Sequence, residues 1–178
     1  MFWLVAAWAF AEATLWFVVA DVPIMATGAL YGRQRAVQAA FLATLCAALG
    51  GVAMYLWALA DAAGSLSAIL ALPGMSEALY AEQAARWHAD GLAAMLTGSF
   101  SGVPYKIYAH AAGAAADPLA VFALDSLFAR APRFVVVALV SGWLLPRVRA
   151  RLGGRVFWAL FVAAWALFYA WYWSAMAA

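Results

Sequence analysis

Residues 91–116 read GLAAMLTGSFSGVPYKIYAHAAGAAA, and the predicted topology depends on whether they cross the membrane. It is apolar over most of its length, yet Pro104 and Lys106 interrupt it near the middle. A helix needs ~20 apolar residues to cross a hydrocarbon core about 30 Å thick. The arms 91–103 and 105–116 are each too short to cross. The pattern therefore predicts a re-entrant hairpin that enters and leaves the membrane on one side.

Composition places the whole chain in a membrane. Of its 178 residues, 70% are hydrophobic and 10% are charged, and the mean hydropathy is +0.92. These values are typical of an integral membrane protein. A dispersed net charge of +2 argues against nucleic acid as a main partner. The single cysteine, Cys46, excludes a disulfide framework and a thiolate metal site, and we expect neither a metal nor a cofactor.

Three further stretches are predicted to cross the membrane. Residues 36–60 and 156–178 are free of charge for the required length. Residues 118–145 form a longer candidate, with Asp117 as the predicted helix N-cap, a kink at Pro132, and Pro146 just beyond the helix end.

The distribution of charge orients these spans. Residues 61–90 carry four acids against one base, so we expect them outside, with an amphipathic helix over 75–90 at the outer interface. Six of the ten basic residues form two clusters beside the spans, and the positive-inside rule places both in the cytoplasm. The clusters are Arg33 and Arg35, and Arg147, Arg149, Arg151 and Arg155. An even number of crossings must separate them, and 36–60 with 118–145 already make two, so 91–116 cannot cross.

The first apolar region, residues 2–32, is interrupted in a similar way by Asp21 and Pro23, which predicts a matching hairpin from the inner side. The predicted fold class is an all-α integral membrane protein with two inverted-topology repeats, each a re-entrant helical hairpin plus a transmembrane helix, followed by a C-terminal transmembrane helix. The single membrane domain divides into 1–60, the outer segment 61–90, 91–145, a cytoplasmic basic loop 146–155, and the last helix 156–178. The N-terminus is expected in the cytoplasm and the C-terminus outside.

Six ionisable side chains fall at the predicted membrane depth. They are Glu12, Asp21, Lys106, Asp125, Arg130 and Arg133. Each costs about 3 kcal/mol when it faces lipid, so all six should face inward and find partners. In one interpretation they form structural ion pairs that hold the hairpins in place. In the other, the lysine and arginines bind an anionic group such as a phosphate, and the carboxylates exchange protons.

Other polar and aromatic residues suggest further roles. Ser101 and His110 could form a dyad for hydrolysis inside the membrane, although a histidine there more often lines a cavity, as Asp125 could also do. The aromatic run over residues 168–173 is interpreted as an anchor at the outer end of the last helix.

Two segments resemble a known family. The motifs are Phe10-Ala-Glu-Ala-Thr14 with Asp21-Val-Pro23, and then Pro104-Tyr-Lys-Ile107, Ala112-Gly113, Phe122, Ser126, Arg130 and Arg133-Phe134. In this order they resemble the YqaA-like branch of the DedA family of bacterial membrane proteins, also called VTT-domain or SNARE-associated proteins. The resemblance covers roughly residues 10–140. It implies two opposed re-entrant hairpins and movement of lipids across the bilayer, including undecaprenyl phosphate and phospholipids, with dependence on the proton gradient.

The resemblance and the buried charges together predict a transporter or scramblase, not an enzyme, in the bacterial inner membrane. An anionic lipid head group is expected to meet Lys106, Arg130 and Arg133, with Pro104 and Tyr105 beside them. Proton coupling is assigned to Glu12 and Asp21, which match the family's important acids. A structural or assembly subunit and an intramembrane hydrolase remain as alternatives, and a homo-oligomer stays open.

Overall fold

The computed structural model describes residues 1–176, and every regular element in that range is an α-helix. The helices are α1 (Phe2–Ala13), α2 (Asp21–Ala60), α3 (Ala62–Leu70), α4 (Glu77–Asp90), α5 (Leu92–Ser101), α6 (Lys106–Ala114), α7 (Leu119–Leu152) and α8 (Gly154–Met176). Helices α2, α7 and α8 are long and apolar enough to cross a membrane. The prediction of an all-α fold is confirmed, and the three long apolar helices are compatible with a membrane protein. The last two residues of the predicted final span, 177 and 178, lie outside the described range.

In the first part of the chain, α1 and α2 are joined by residues 14–20, and α2 is bent. Pro23 lies in the first turn of α2, where a missing backbone N–H disrupts no helical hydrogen bond. The bend is at Gly32, whose φ of 78° is readily adopted by glycine. The interruption expected at Asp21 and Pro23 is therefore the loop 14–20, which lies just before them in sequence. The predicted span 36–60 forms the part of α2 after the bend.

In the second part, residues 102–105 separate α5 from α6. Gly102 ends α5 in the left-handed conformation, with a φ of 88°. Helix α6 then runs through the interior, and its residues from Lys106 to Gly113 are all buried. The break at Pro104 was predicted, and it places the start of α6 at Lys106.

Helix α7 differs from its prediction at both ends. It continues through Pro132 and Pro146 to Leu152, so most of the predicted loop 146–155 is helical and only Gly153, with a φ of 78°, separates it from α8. In an apolar environment a helix remains the best way to satisfy backbone groups, even at a proline that removes one hydrogen bond. Asp117 is not the N-cap, because Pro118 takes that position. The Asp117 carboxylate instead accepts a hydrogen bond from Trp87 Nε1 at 2.7 Å.

Residues 61–90, which were expected outside the membrane, contain two helices where one was predicted. The amphipathic helix is confirmed as α4, which Ser76 caps by accepting from the Leu79 N–H at 3.2 Å. Its Glu82–Arg86 pair, at 3.1 Å, is exposed. Helix α3 was not predicted. Asp61 caps it by accepting from the Gly64 N–H at 2.9 Å, and this cap was the available sequence signal.

Candidate functional site

A cavity of about 630 Å³ lies where the two inter-helix loops, 14–20 and 102–105, approach α7 and α8. The structure brings five of the six predicted membrane-depth charges to its wall. These are Glu12, Asp21, Lys106, Arg130 and Arg133. Acids from the first part of the chain and bases from the second therefore line one space.

Glu12 and Arg130 form an ion pair in which Arg130 Nη2 donates to Glu12 Oε2. Both side chains are nearly inaccessible, at 5% exposure for Arg130 and 8% for Glu12. The guanidinium carbon of Arg130 also lies 4.8 Å from the ring centre of Tyr105 and 4.7 Å from that of Phe134. A guanidinium enclosed by two aromatic rings and a carboxylate is held in one orientation.

Asp21 and Arg133 form the second ion pair, which joins three elements. Asp21 Oδ2 accepts from Arg133 Nη2 at 2.5 Å and from Arg133 Nε at 3.2 Å. The remaining Nη1 of Arg133 donates to the Ser99 carbonyl at 2.5 Å, which links α5 to α7. Asp21 Oδ1 is buried and has no hydrogen-bond partner among the described residues. One oxygen of this carboxylate is therefore left to accept another hydrogen bond or a proton.

Lys106 differs from both arginines because no carboxylate in the described chain lies within salt-bridge distance of it. Its Nζ donates one hydrogen bond, to the Trp16 carbonyl at 2.8 Å, and the residue is only 4% exposed. An ammonium carries three N–H groups, so two remain for another acceptor. The cavity wall thus holds one more cation than carboxylate.

Most of the remaining cavity wall is apolar. Part of it lies along α7 and α8, and Met25, Leu72, Pro73 and Met75 also contribute. From α7 it includes Leu145, Val148 and Leu152, and from α8 it includes Phe157, Leu160, Phe161, Ala164, Trp165 and Phe168. One end of the cavity is charged, and the space between the two long helices is lined by hydrocarbon.

Two tyrosines of α8 close the cavity against the loops. The Val19 N–H donates to Tyr169 Oη at 2.8 Å, and Tyr172 Oη donates to the Gly102 carbonyl at 3.1 Å. The interpretation of this aromatic run as an interface anchor missed both contacts. The available sequence signal was the spacing of three between the two tyrosines, which places both hydroxyls on one helix face. Buried tyrosine hydroxyls usually have hydrogen-bond partners.

Tyr105, which was predicted to bind substrate, does not line the cavity. It is 2% exposed, its Oη donates to Ser126 Oγ at 2.6 Å, and its ring supports Arg130. Pro104, in contrast, does line the cavity.

His110 and Asp125, which were expected as possible cavity-lining residues, do not line this cavity. His110 Nε2 is 3.0 Å from the Ala62 carbonyl, which can only accept, so this nitrogen carries the proton. Nδ1 then accepts from Tyr80 Oη at 2.8 Å, and burial raises the pKa of the Tyr80 phenol, which favours its role as donor. Asp125 borders a separate depression beside Trp87.

No protein-family model, no curated protein and no solved structure matches this chain. Its function is therefore inferred from the cavity itself.

Proposed function

We propose that this chain is a membrane transporter or scramblase that moves a phosphate-bearing lipid across the bilayer. The observation that carries the proposal is the division of the cavity into a charged end with an excess cation and an apolar space between α7 and α8. A lipid has the same division into an anionic head group and a hydrocarbon part. Bilayer-depth charges that face a cavity commonly mark a substrate pathway.

Lys106 is the residue we assign to the phosphate. Both arginines are engaged by carboxylates, and Arg130 is enclosed by aromatic rings. Arg133 is more accessible, with a side chain 20% exposed, so it is the second contact for the head group. Two N–H groups of Lys106 are unused, and a phosphate oxygen accepts from them without disturbing either ion pair.

The same geometry supports proton linkage. A phosphate beside Asp21 and Glu12 brings a like charge to the carboxylates, which favours proton uptake. Asp21 Oδ1 has no hydrogen-bond partner in the described chain, so a proton can bind there while Oδ2 keeps Arg133. Linkage is reciprocal, so substrate binding and proton binding promote each other.

The proposed topology follows the inverted-repeat prediction. Helix α1 has 12 residues, α5 has 10 and α6 has 9. At 1.5 Å per residue none exceeds about 18 Å, which is well short of a core about 30 Å thick. This supports re-entrant hairpins around 14–20 and 102–105, as the resemblance to the DedA family implies. We place the protein in the bacterial inner membrane, with its N-terminus in the cytoplasm.

A structural membrane subunit is the second candidate. The observation that favours it is that both ion pairs are closed without a ligand. The hydrolase alternative has no such support, because Ser101 Oγ donates to the Gly98 carbonyl and His110 contacts Tyr80 and Ala62. The two side chains form no dyad.

A flipping assay in liposomes that contain only this protein tests the proposal. Labelled undecaprenyl phosphate and phospholipids are followed side by side for the parent, Lys106→Met and Lys106→Arg. We expect the parent to move at least one lipid, Lys106→Met to lower the rate about tenfold or more, and Lys106→Arg to keep much of it. Arg86→Met is the control, because Arg86 is an exposed base on α4. If the parent folds but moves neither lipid, the transport proposal is wrong and the structural subunit remains as the function.

A further inference from the structure

We infer that the seam between α7 and α8 is a binding site for the hydrocarbon chain of the transported lipid, so that the chain travels inside the protein while the head group is held at Lys106. This inference rests on the proposed function and adds a second subsite to the same cavity. The seam is lined by Leu145, Val148 and Leu152 of α7 and by Phe157, Leu160, Phe161 and Ala164 of α8.

The seam is long enough for the chain of a membrane lipid. From Arg133 at the charged end to Leu152, α7 advances 19 residues, which corresponds to about 28 Å of helix. One leaflet of the hydrocarbon core is about 15 Å deep. The cavity volume of about 630 Å³ lies in the usual range for a site that binds one small ligand and is too small for several lipids. The space therefore suits one chain whose head group has reached the charges.

The wall formed by α8 is lightly attached, which gives the chain a route from the bilayer. Of the α8 side chains between residues 154 and 174, only Phe157 and Tyr169 are buried. The helix begins at Gly154, directly after Gly153, and a Cβ at either glycine would meet no atom within 4 Å. Two tyrosine hydroxyls hold its other end to the loops. Separation of α8 from α7 opens the seam sideways to lipid.

The seam is distinct from the ordinary lipid-facing surface of α8. Val162 and Leu167 are 64% and 71% exposed and do not line the cavity. Bulk lipid covers such residues wherever the helix crosses a membrane. The seam residues line the same cavity as Lys106 instead, so a chain bound there shares one space with a head group at Lys106.

Two neighbouring alanines provide a matched test. Ala164 lines the cavity, whereas Ala163, equally exposed, does not. An indole at position 164 would fill the seam, so we expect Ala164→Trp to lower lipid flux about tenfold and Ala163→Trp to leave it within about twofold of the parent. If Lys106→Met abolishes flux while both tryptophan variants match the parent, the chain site is wrong and the proposed transport stands.

Photolabelling of the unmodified protein keeps the inference testable even if Ala164→Trp fails to fold. The probe is an alkyl phosphate with a diazirine at the end of its chain, in phosphatidylcholine vesicles. We expect label on Leu152 and Phe157, reduced by excess unlabelled alkyl phosphate and by Lys106→Met. Label confined to Val162 and Leu167, or seam label that neither competitor nor variant reduces, would overturn the chain site.

Discussion

Glu12 and Arg130 show, at the scale of single residues, what a buried charge needs in this protein. Because the pair is almost inaccessible, Glu12→Gln would leave Arg130 charged and unpaired. Breaking a buried ion pair costs about 3–5 kcal/mol, whereas an exposed pair contributes about 0–1 kcal/mol. We therefore expect Glu12→Gln to lower the Tm of the detergent-solubilised protein by several degrees. Glu82→Gln, which removes the exposed partner of Arg86, should hardly change it. Equal shifts in the two variants would contradict the structural importance of the buried pair.

Asp21 should carry part of the pH dependence of transport. Asp21→Asn keeps the shape of the side chain but removes the charge to which we assign proton uptake. We expect its flux to vary less with pH than that of the parent, measured in vesicles at several pH values. Asp90→Asn, at an exposed position on α4, is the control. A parent whose flux is flat across pH, or an Asp21→Asn variant with the full pH dependence, would exclude this carboxylate from proton coupling.

The sequence could predict that these charges face inward, because each would be costly in lipid. It could not predict their partners. Glu12 is 118 positions from Arg130, and Asp21 is 112 from Arg133. Their pairing depends on how the two parts of the chain pack. The position of Tyr105 was equally unpredictable: its motif neighbour Lys106 lines the cavity, whereas the tyrosine ring lies against Arg130 and does not line it.

At the scale of elements, two tyrosine hydroxyls of α8 form hydrogen bonds to the loops, beside a ring contact between Phe17 and Trp173. Tyr169→Phe would leave the Val19 N–H without its acceptor, and Tyr172→Phe would remove the donor to the Gly102 carbonyl. An unsatisfied buried group costs about 1–3 kcal/mol. We expect the double variant to increase amide hydrogen exchange at Val19 and in the surrounding loop 14–20. Tyr31→Phe, at a tyrosine that is 58% exposed, is the matched control. Unchanged exchange in the double variant would show that the hydroxyls do not hold α8.

Element boundaries were predictable where two signals agreed. Around Pro104, short arms and a proline both indicated a break, and α6 does begin at Lys106. At Pro146 the proline was the only signal for a helix end. The helix continues through it because the other backbone groups of the helix still gain hydrogen bonds. Asp117 is of a residue type that commonly caps helices. Its side chain instead accepts a hydrogen bond from Trp87 of α4, and this contact is made only in the folded chain.

At the scale of the whole molecule, the two ion pairs connect the parts of the chain. Glu12 and Asp21 belong to the first helical pair, whereas Arg130 and Arg133 belong to α7. Ser99 adds α5 to the second pair, and the tyrosines of α8 reach both loops. The cavity is therefore formed only when all these elements have assembled, and no single segment contains the site.

The arrangement of spans gives a prediction for the whole molecule. Three helices are long enough to cross a membrane, and an odd number of crossings puts the ends of the chain on opposite sides. Arg33 and Arg35 follow the bend in α2, and the other arginine cluster surrounds the turn between α7 and α8. The positive-inside rule places both clusters in the cytoplasm.

Reporter fusions in bacteria should therefore place the N-terminus in the cytoplasm and the C-terminus outside. A reporter inserted in the α3–α4 connection, residues 71–76, serves as an internal standard and should also lie outside. The decisive result is the N-terminus. If it lies outside while 71–76 also lies outside, the segment before Arg33 must cross the membrane, because α2 after its bend has already made one crossing. The hairpin around 14–20 would then be an ordinary part of a span, and its pairing with the hairpin at 102–105 as an inverted repeat would be excluded.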